Sequence, residues 1–180
     1  GVLQALDLAQ FGDSEAALAK AQALKTEQPD NAAVANLLSR LYVSGGELEK
    51  ARAALEPVLA RNPTHLASIT NMNRIDVGEG KFEAVEARLR KALSLEPANE
   101  PIILQLANFL ANRNNREAAL ALLQEKAVEL PGSLAIRANL INISLRQSKP
   151  EDARRWADEA NQIGLTTNEN GLTVAAEAYA

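Results

Sequence analysis

Residues 46–64 read GELEKARAALEPVLARNPT and residues 80–98 read GKFEAVEARLRKALSLEPA. Laid over one another 34 positions apart, the two stretches share an opening glycine, the small and apolar positions that follow, and a closing proline. The same step carries Pro63 back to Pro29 and on to Pro97 and Pro131. A fixed period of this length marks an array of short units, each too small to bury its own apolar face and obliged to stack on its neighbours.

Other columns keep the phase. Gly12, Gly46 and Gly80 are continued by Asn114 and Ser148, residue types that favour turns, glycine and asparagine tolerating a left-handed backbone best. Five residues later stands a small-residue column: Ala17, Ala51, Val85, Ala119 and Ala153. Four further come Ala21, Leu55, Leu89, Leu123 and Ala157, and then Leu24, Val58, Ala92 and Ala160. Steps of four and three place these columns on one helical face. The unit is therefore helix, tight turn, helix and a proline-marked loop, the proline stopping the second helix.

This reading predicts first helices near 31–44, 65–78, 100–113 and 134–147, and second helices near 13–27, 47–61, 81–95, 115–129 and 150–162. Residues 1–11 and 168–180 read as partial first helices, and no alternating strand pattern appears. Asp30, Thr64, Asn99 and Ser133 stand where N-caps are expected. Two lapses in regularity stand out. Around Lys126-Ala127 and Leu130-Pro131 one residue reads as moved from loop to helix, and Leu165 replaces the fifth proline, with Gly164 beside it as the expected helix stop.

On these residues the chain resembles the tetratricopeptide repeat (TPR) family along essentially its whole length. The resemblance implies an all-α fold, a right-handed TPR superhelix (an α-α solenoid) of about five helix-turn-helix repeats. The repeats would span about 1–31, 32–65, 66–99, 100–133 and 134–167, with a partial one over 168–180, in a single domain of residues 1–180. The second-helix half of the pattern matches best. The family's tryptophan position carries Ala35, Ile69, Ile103 and Arg137, and its tyrosine position carries Tyr42, Asp76, Leu110 and Ser144.

Composition narrows the chemistry. The 180 residues are 47% hydrophobic but only 3% aromatic, which suits close helix-on-helix packing. There is no cysteine for disulfide or thiol chemistry, and His65, at a helix start, is the only histidine, so neither a hydrolytic triad nor a metal centre is expected. No enzymatic activity and no cofactor are predicted. A net charge of −4 argues against nucleic acid as a partner. No run of about 18 apolar residues suggests a transmembrane segment. Gly1 at one end and Leu172, Val174, Ala175 and Ala178 at the other point to a fragment of a longer array, or to terminal repeats covered in a homo-oligomer.

In the TPR family ligands lie on the concave surface lined by first helices. The resemblance places the ligand-contacting column at Arg40, Arg74, Asn108 and Asn142. A neighbouring column reads Leu37, Asn71, Gln105 and Asn139, the next reads Asn36, Thr70, Leu104 and Ala138, and Ser44, Asn112 and Arg146 stand near helix ends. Asn36, Arg40, Asn71, Arg74, Gln105, Asn108, Asn112, Asn139, Asn142 and Arg146 are the candidate groove residues. Primary amides donate to and accept from a peptide backbone at once, and arginine offers a fork for carboxylate. Asparagine is a poor helix former, so its recurrence here needs a reason beyond solvation. Five arginines against Asp76 and Glu100 give the four complete first helices a balance of +3, leaving −7 to the remainder of the chain. A weakly basic groove of this kind suits extended, neutral-to-acidic protein segments. Asp76 is expected to be paired by Arg40, Arg74 or Arg113 in a structural role, and Trp156 and Phe82 to pack between repeats.

The run from Thr64 to Asn71, then Arg74-Ile75-Asp76, and the stretch from Glu117 to Leu123 also resemble bacterial TPR lipoproteins of the PEP-CTERM and exopolysaccharide-associated type. That resemblance implies a lipidated cysteine outside this sequence and a periplasmic or outer-membrane-anchored array that supports assembly or export; without it a cytoplasmic setting is expected. The function expected is a non-catalytic protein-interaction scaffold. The alternatives are an export factor with a carbohydrate ligand, or the regulatory repeats of an enzyme.

Overall fold

The computed structural model describes residues 1–167, with side chains through Gly164. Among the described residues the chain forms ten α-helices and no strand. First helices are α1 (Val2–Gln10), α3 (Ala32–Ser44), α5 (Leu66–Gly78), α7 (Glu100–Asn112) and α9 (Leu134–Arg146). Second helices are α2 (Ser14–Glu27), α4 (Leu48–Arg61), α6 (Phe82–Leu95), α8 (Arg116–Glu129) and α10 (Pro150–Thr167). The expected boundaries hold to within one residue everywhere except at the end of α10.

The turn column does what its composition requires. Gly12, Gly46 and Gly80 have φ of 89°, 76° and 73°, and Asn114 and Ser148 follow at 61° and 56°. Each of these residues reverses the chain between two antiparallel helices of one repeat. At Asn114 and Ser148 an L side chain is held in the left-handed region, where asparagine tolerates the conformation better than serine.

Four expectations need correction. The N-cap column lies two residues after each proline: Asn31, His65, Asn99 and Ser133 cap α3, α5, α7 and α9 with their own side chains. Asp30 and Thr64 therefore stand one residue early; a strict 34-residue step from Asn99 would have avoided both errors. His65 caps through Nδ1, which accepts from the Ser68 backbone N–H at 3.3 Å. No residue has moved from loop to helix in the fourth repeat, because α8 ends 34 residues after α6 and both are 14 residues long. Lys126 simply occupies an apolar-column position, its stem buried and its ammonium bonded to Glu129 at 2.6 Å. Gly164 does not stop α10, which continues to Thr167. A helix stop by glycine needs a left-handed backbone, and Gly164 is not among the positive-φ residues. The partial helix expected over 168–180 lies outside the described residues.

The chain forms two compact units. The first, Gly1–Leu95, holds α1 to α6. Its core runs through Ala21, Leu24, Val34 and Leu38 between α2 and α3, then through Leu55, Met72 and Ile75 between α4 and α5. The second unit begins at Glu96. There Ile103, Leu106, Leu123, Ile136 and Leu140 are fully buried among α7, α8 and α9, and Trp156 of α10 is buried too.

Backbone geometry at the turns gives a direct test. Gly46 has φ +76° and open space around an added Cβ, whereas Gly45 has φ −85° and only ordinary contacts. Gly46→Ala should cost about 1 kcal/mol by the left-handed penalty alone, and Gly45→Ala should be close to neutral. Urea denaturation of both variants checks this; equal losses would contradict it.

Candidate functional site: a groove on the first helices

In the first unit α1, α3 and α5 line a groove of about 590 Å³. Val2 and Leu6 come from α1, Asn36, Leu37 and Arg40 from α3, and Leu66, Asn71 and Arg74 from α5. Arg40 also borders two adjoining hollows, one shared with Arg74, Asn71 and Ser44, the other with Leu6 and Gln10. Arg40 and Arg74 are both exposed, and among the described residues neither has an ion-pair partner. The groove thus joins an apolar floor to two uncommitted guanidinium groups.

The amides of this groove are not equally free. Asn36 is buried and its Nδ2 donates to the Ser68 hydroxyl at 2.9 Å and to the Ala32 carbonyl at 2.8 Å. Asn71 Nδ2 donates to Asn36 Oδ1 at 2.7 Å, and Ser68 Oγ lies 2.9 Å from His65 Nδ1. A hydrogen-bonded row therefore runs from the helix cap at His65 through Ser68 and Asn36 to Asn71. Asn36 ties α3 to α5, and Asn71 is the member that lines the groove with carbonyl capacity to spare.

In the second unit Asn108 and Asn112 of α7 and Asn142 and Arg146 of α9 are exposed. Asn139 is half-buried and bonds back to the Ala135 carbonyl at 2.9 Å, and Gln105 is half-buried and engaged. The exposed column is thus Arg40, Arg74, Asn108 and Asn142, while the column beside it serves packing as much as solvent. Arg137 adds nothing to a free basic surface. It is buried, and its Nη atoms donate to the carbonyls of Ala127 at 3.1 Å and Leu130 at 2.9 Å, which close the end of α8.

Asp76 is fully buried and paired, but not by the arginines expected. Arg52 of α4 donates to Oδ1 at 2.7 Å and Arg88 of α6 to Oδ2 at 2.5 Å. Arg88 also donates to Asn73, and Arg52 to Glu79. Arg40 and Arg74 sit on the exposed face of the first helices, so their side chains cannot reach a carboxylate buried toward the second helices. The only signal in the sequence was the need for cations at a buried acid; Arg52 and Arg88 lie on second helices in different phases of the repeat. Burial opposes the charge of Arg52, yet its bonds to Asp76 and the charges of Asp76 and Glu79 raise its pKa. Glu79 is held below the ordinary carboxylate range chiefly by its hydrogen bond with Lys81; burial opposes this, and the charges of Lys81 and Arg52 and the hydrogen bond with Arg52 add to the lowering.

Among the described residues no group of acids or histidine is arranged to hold a metal, and no helix is long and apolar enough to cross a membrane. Paired helices at a 34-residue step, closed by left-handed turns and carrying a first-helix groove, define an all-α helical-repeat solenoid. The tetratricopeptide repeat family's profile matches residues 5–70 and 76–125, and the chain belongs to that family. No curated protein matches it. Among solved structures it is similar to a thermophilic TPR protein of Thermus thermophilus, at 20% identity and TM-score 0.60, covering 99% of this chain and 95% of that one. It is also similar to MamA (13% identity, TM-score 0.61, 90% and 95% covered) and to pilF of Pseudomonas aeruginosa (13%, 0.63, 98% and 86%). These likenesses show the fold.

Two outcomes follow from the Asp76 cluster. Asp76→Ala strands two partly buried guanidinium groups and should cost about 3 kcal/mol, whereas Arg40→Ala, at an exposed and unpaired position, should change stability by about 0.5 kcal/mol or less; chemical denaturation separates them. Glu79 has a lowered folded-state pKa, so its stabilisation is present above its unfolded-state pKa and is lost as pH falls through the lowered value. Glu79→Gln should therefore flatten the acid limb of a stability–pH curve, and an unchanged limb would show that the pair contributes nothing.

Proposed function

We propose that the chain is a non-catalytic scaffold that holds an extended protein segment against its first helices. Tetratricopeptide repeat arrays are in general protein–protein interaction scaffolds, and that much follows from family membership. The observation that carries the finer reading is the pair Arg40 and Arg74, exposed and without anionic partners among the described residues, beside an apolar floor that includes Leu6, Leu37 and Leu66.

A segment that suits this groove alternates apolar side chains with acidic ones. The apolar groups would lie on the leucines while carboxylates meet the guanidinium forks. Asn71 supplies an amide that pairs with a peptide backbone regardless of its side chains. Assembly or export in a bacterial envelope is the setting the lipoprotein resemblance implies, and it rests on that resemblance alone.

The Arg40→Glu/Arg74→Glu double variant tests the reading. Both side chains are exposed, so folding should be retained in a circular-dichroism melt. Binding to a panel of synthetic peptides that alternate apolar and acidic residues, followed by fluorescence anisotropy, should weaken by about tenfold or more, the scale of reversing a close charge pair. Equal binding by the two proteins would reject the groove, and binding displaced by acidic glycans but not by peptides would favour a carbohydrate ligand instead.

A further inference from the structure

A second concavity of the first unit lies among second helices. α4 and α6 both pack on α5, and between them opens a cleft of about 450 Å³. That volume falls within the range of small-molecule pockets, about 300–1,000 Å³. The apolar surface comes from Leu59, Pro63, Met72 and Ala87, and Met72 is only 4% exposed, which places it at the bottom. Arg52 and Arg88 also line the cleft, with Lys91 and Glu56.

The two guanidinium groups are fixed in place. Asp76 holds one nitrogen of each, Arg52 also engages Glu79 and the Met72 sulfur, and Arg88 also engages Asn73. Each guanidinium carries five N–H donors, more than these contacts use. They are preorganised donors whose ordering has already been met by folding. Lys91 is exposed, and its ammonium has no ion-pair partner among the described residues. Asp76 and Glu79 already balance the charges of Arg52 and Arg88, so what the cleft offers an anion is their spare N–H donors and the uncommitted ammonium of Lys91, with Glu56 as the opposing carboxylate, while the apolar surface adds nothing to a bare inorganic anion.

We propose that this cleft binds a small amphipathic carboxylate, its apolar body against Leu59, Met72 and Ala87 and its carboxylate toward Arg52, Arg88 and Lys91. The site does not depend on the groove reading. Met72 lines the cleft and not the groove, so the two proposals fail separately.

Met72 is the only methionine of the chain, so methyl labelling gives one assigned NMR signal at the floor of the cleft. Titration of the full chain with octanoate should move that signal saturably at millimolar concentration. Octylammonium, with the same body and opposite charge, should bind about tenfold more weakly, and Lys91→Glu should weaken octanoate by about the same factor, as expected from reversing one close charge. Lys91→Ala provides a milder variant if charge reversal disturbs folding, with a loss of a few-fold expected. The proposal is overturned if the Met72 signal does not respond, if octylammonium binds as well as octanoate, or if folded Lys91 variants bind unchanged.

Discussion

Everything in this fold depends on a residue that can hold positive φ once per repeat. Five such positions recur at the same step, and each closes a helical hairpin whose two arms then present matched apolar stripes. The constraint is local, but its consequence is not. Once the turn is fixed, the phase of both helices is fixed with it, and so are the faces that reach neighbouring repeats. The gradient from glycine through asparagine to serine along the column shows how far the backbone demand outlasts the ideal side chain.

That constraint explains why so much of the fold was legible in the sequence. Helix ends are set by turn and proline columns, which depend on single residues and their immediate neighbours. Apolar columns at Leu55, Leu89 and Leu123 are buried because helical periodicity alone puts them on the inner face. The errors arose where residue type was preferred over phase. Asp30 and Thr64 are good capping residues by composition, yet the chain caps at Asn31 and His65, one position on, where the period had already placed Asn99 and Ser133. Lys126 misled in the same manner, since its charge hid a buried aliphatic stem.

The candidate groove was legible only in part. Exposure of Arg40, Arg74, Asn108 and Asn142 follows from helical phase, and the structure places all four on the surface. Which amides are spent on internal bonds does not follow from phase, because it depends on partners in the next repeat. Asn36 and Ser68 meet across a sequence separation of 32 residues, and no single-helix pattern announces that contact. Asp76 makes the same point more strongly. Its burial was inferable from the tyrosine position it occupies, but its partners come from α4 and α6, where they read as ordinary solvated arginines.

Charge totals therefore need to be read through burial. Of the arginines that gave the first helices their positive balance, Arg137 is consumed by backbone carbonyls and Arg113, though exposed, is engaged, leaving Arg40, Arg74 and Arg146 exposed and without an ion-pair partner among the described residues. On the acidic side Asp76 is neutralised inside the first unit and cannot repel a carboxylate at the groove. In the first unit the basic character that sequence assigned to a whole set of helices is concentrated at Arg40 and Arg74, beside leucine side chains. A broad weak field steers any anion, whereas two exposed guanidinium groups beside an apolar floor would favour one that also carries an apolar side chain. Burial converts the first arrangement into the second, and this is the physical basis on which a protein segment, rather than a generic polyanion, is proposed as the ligand.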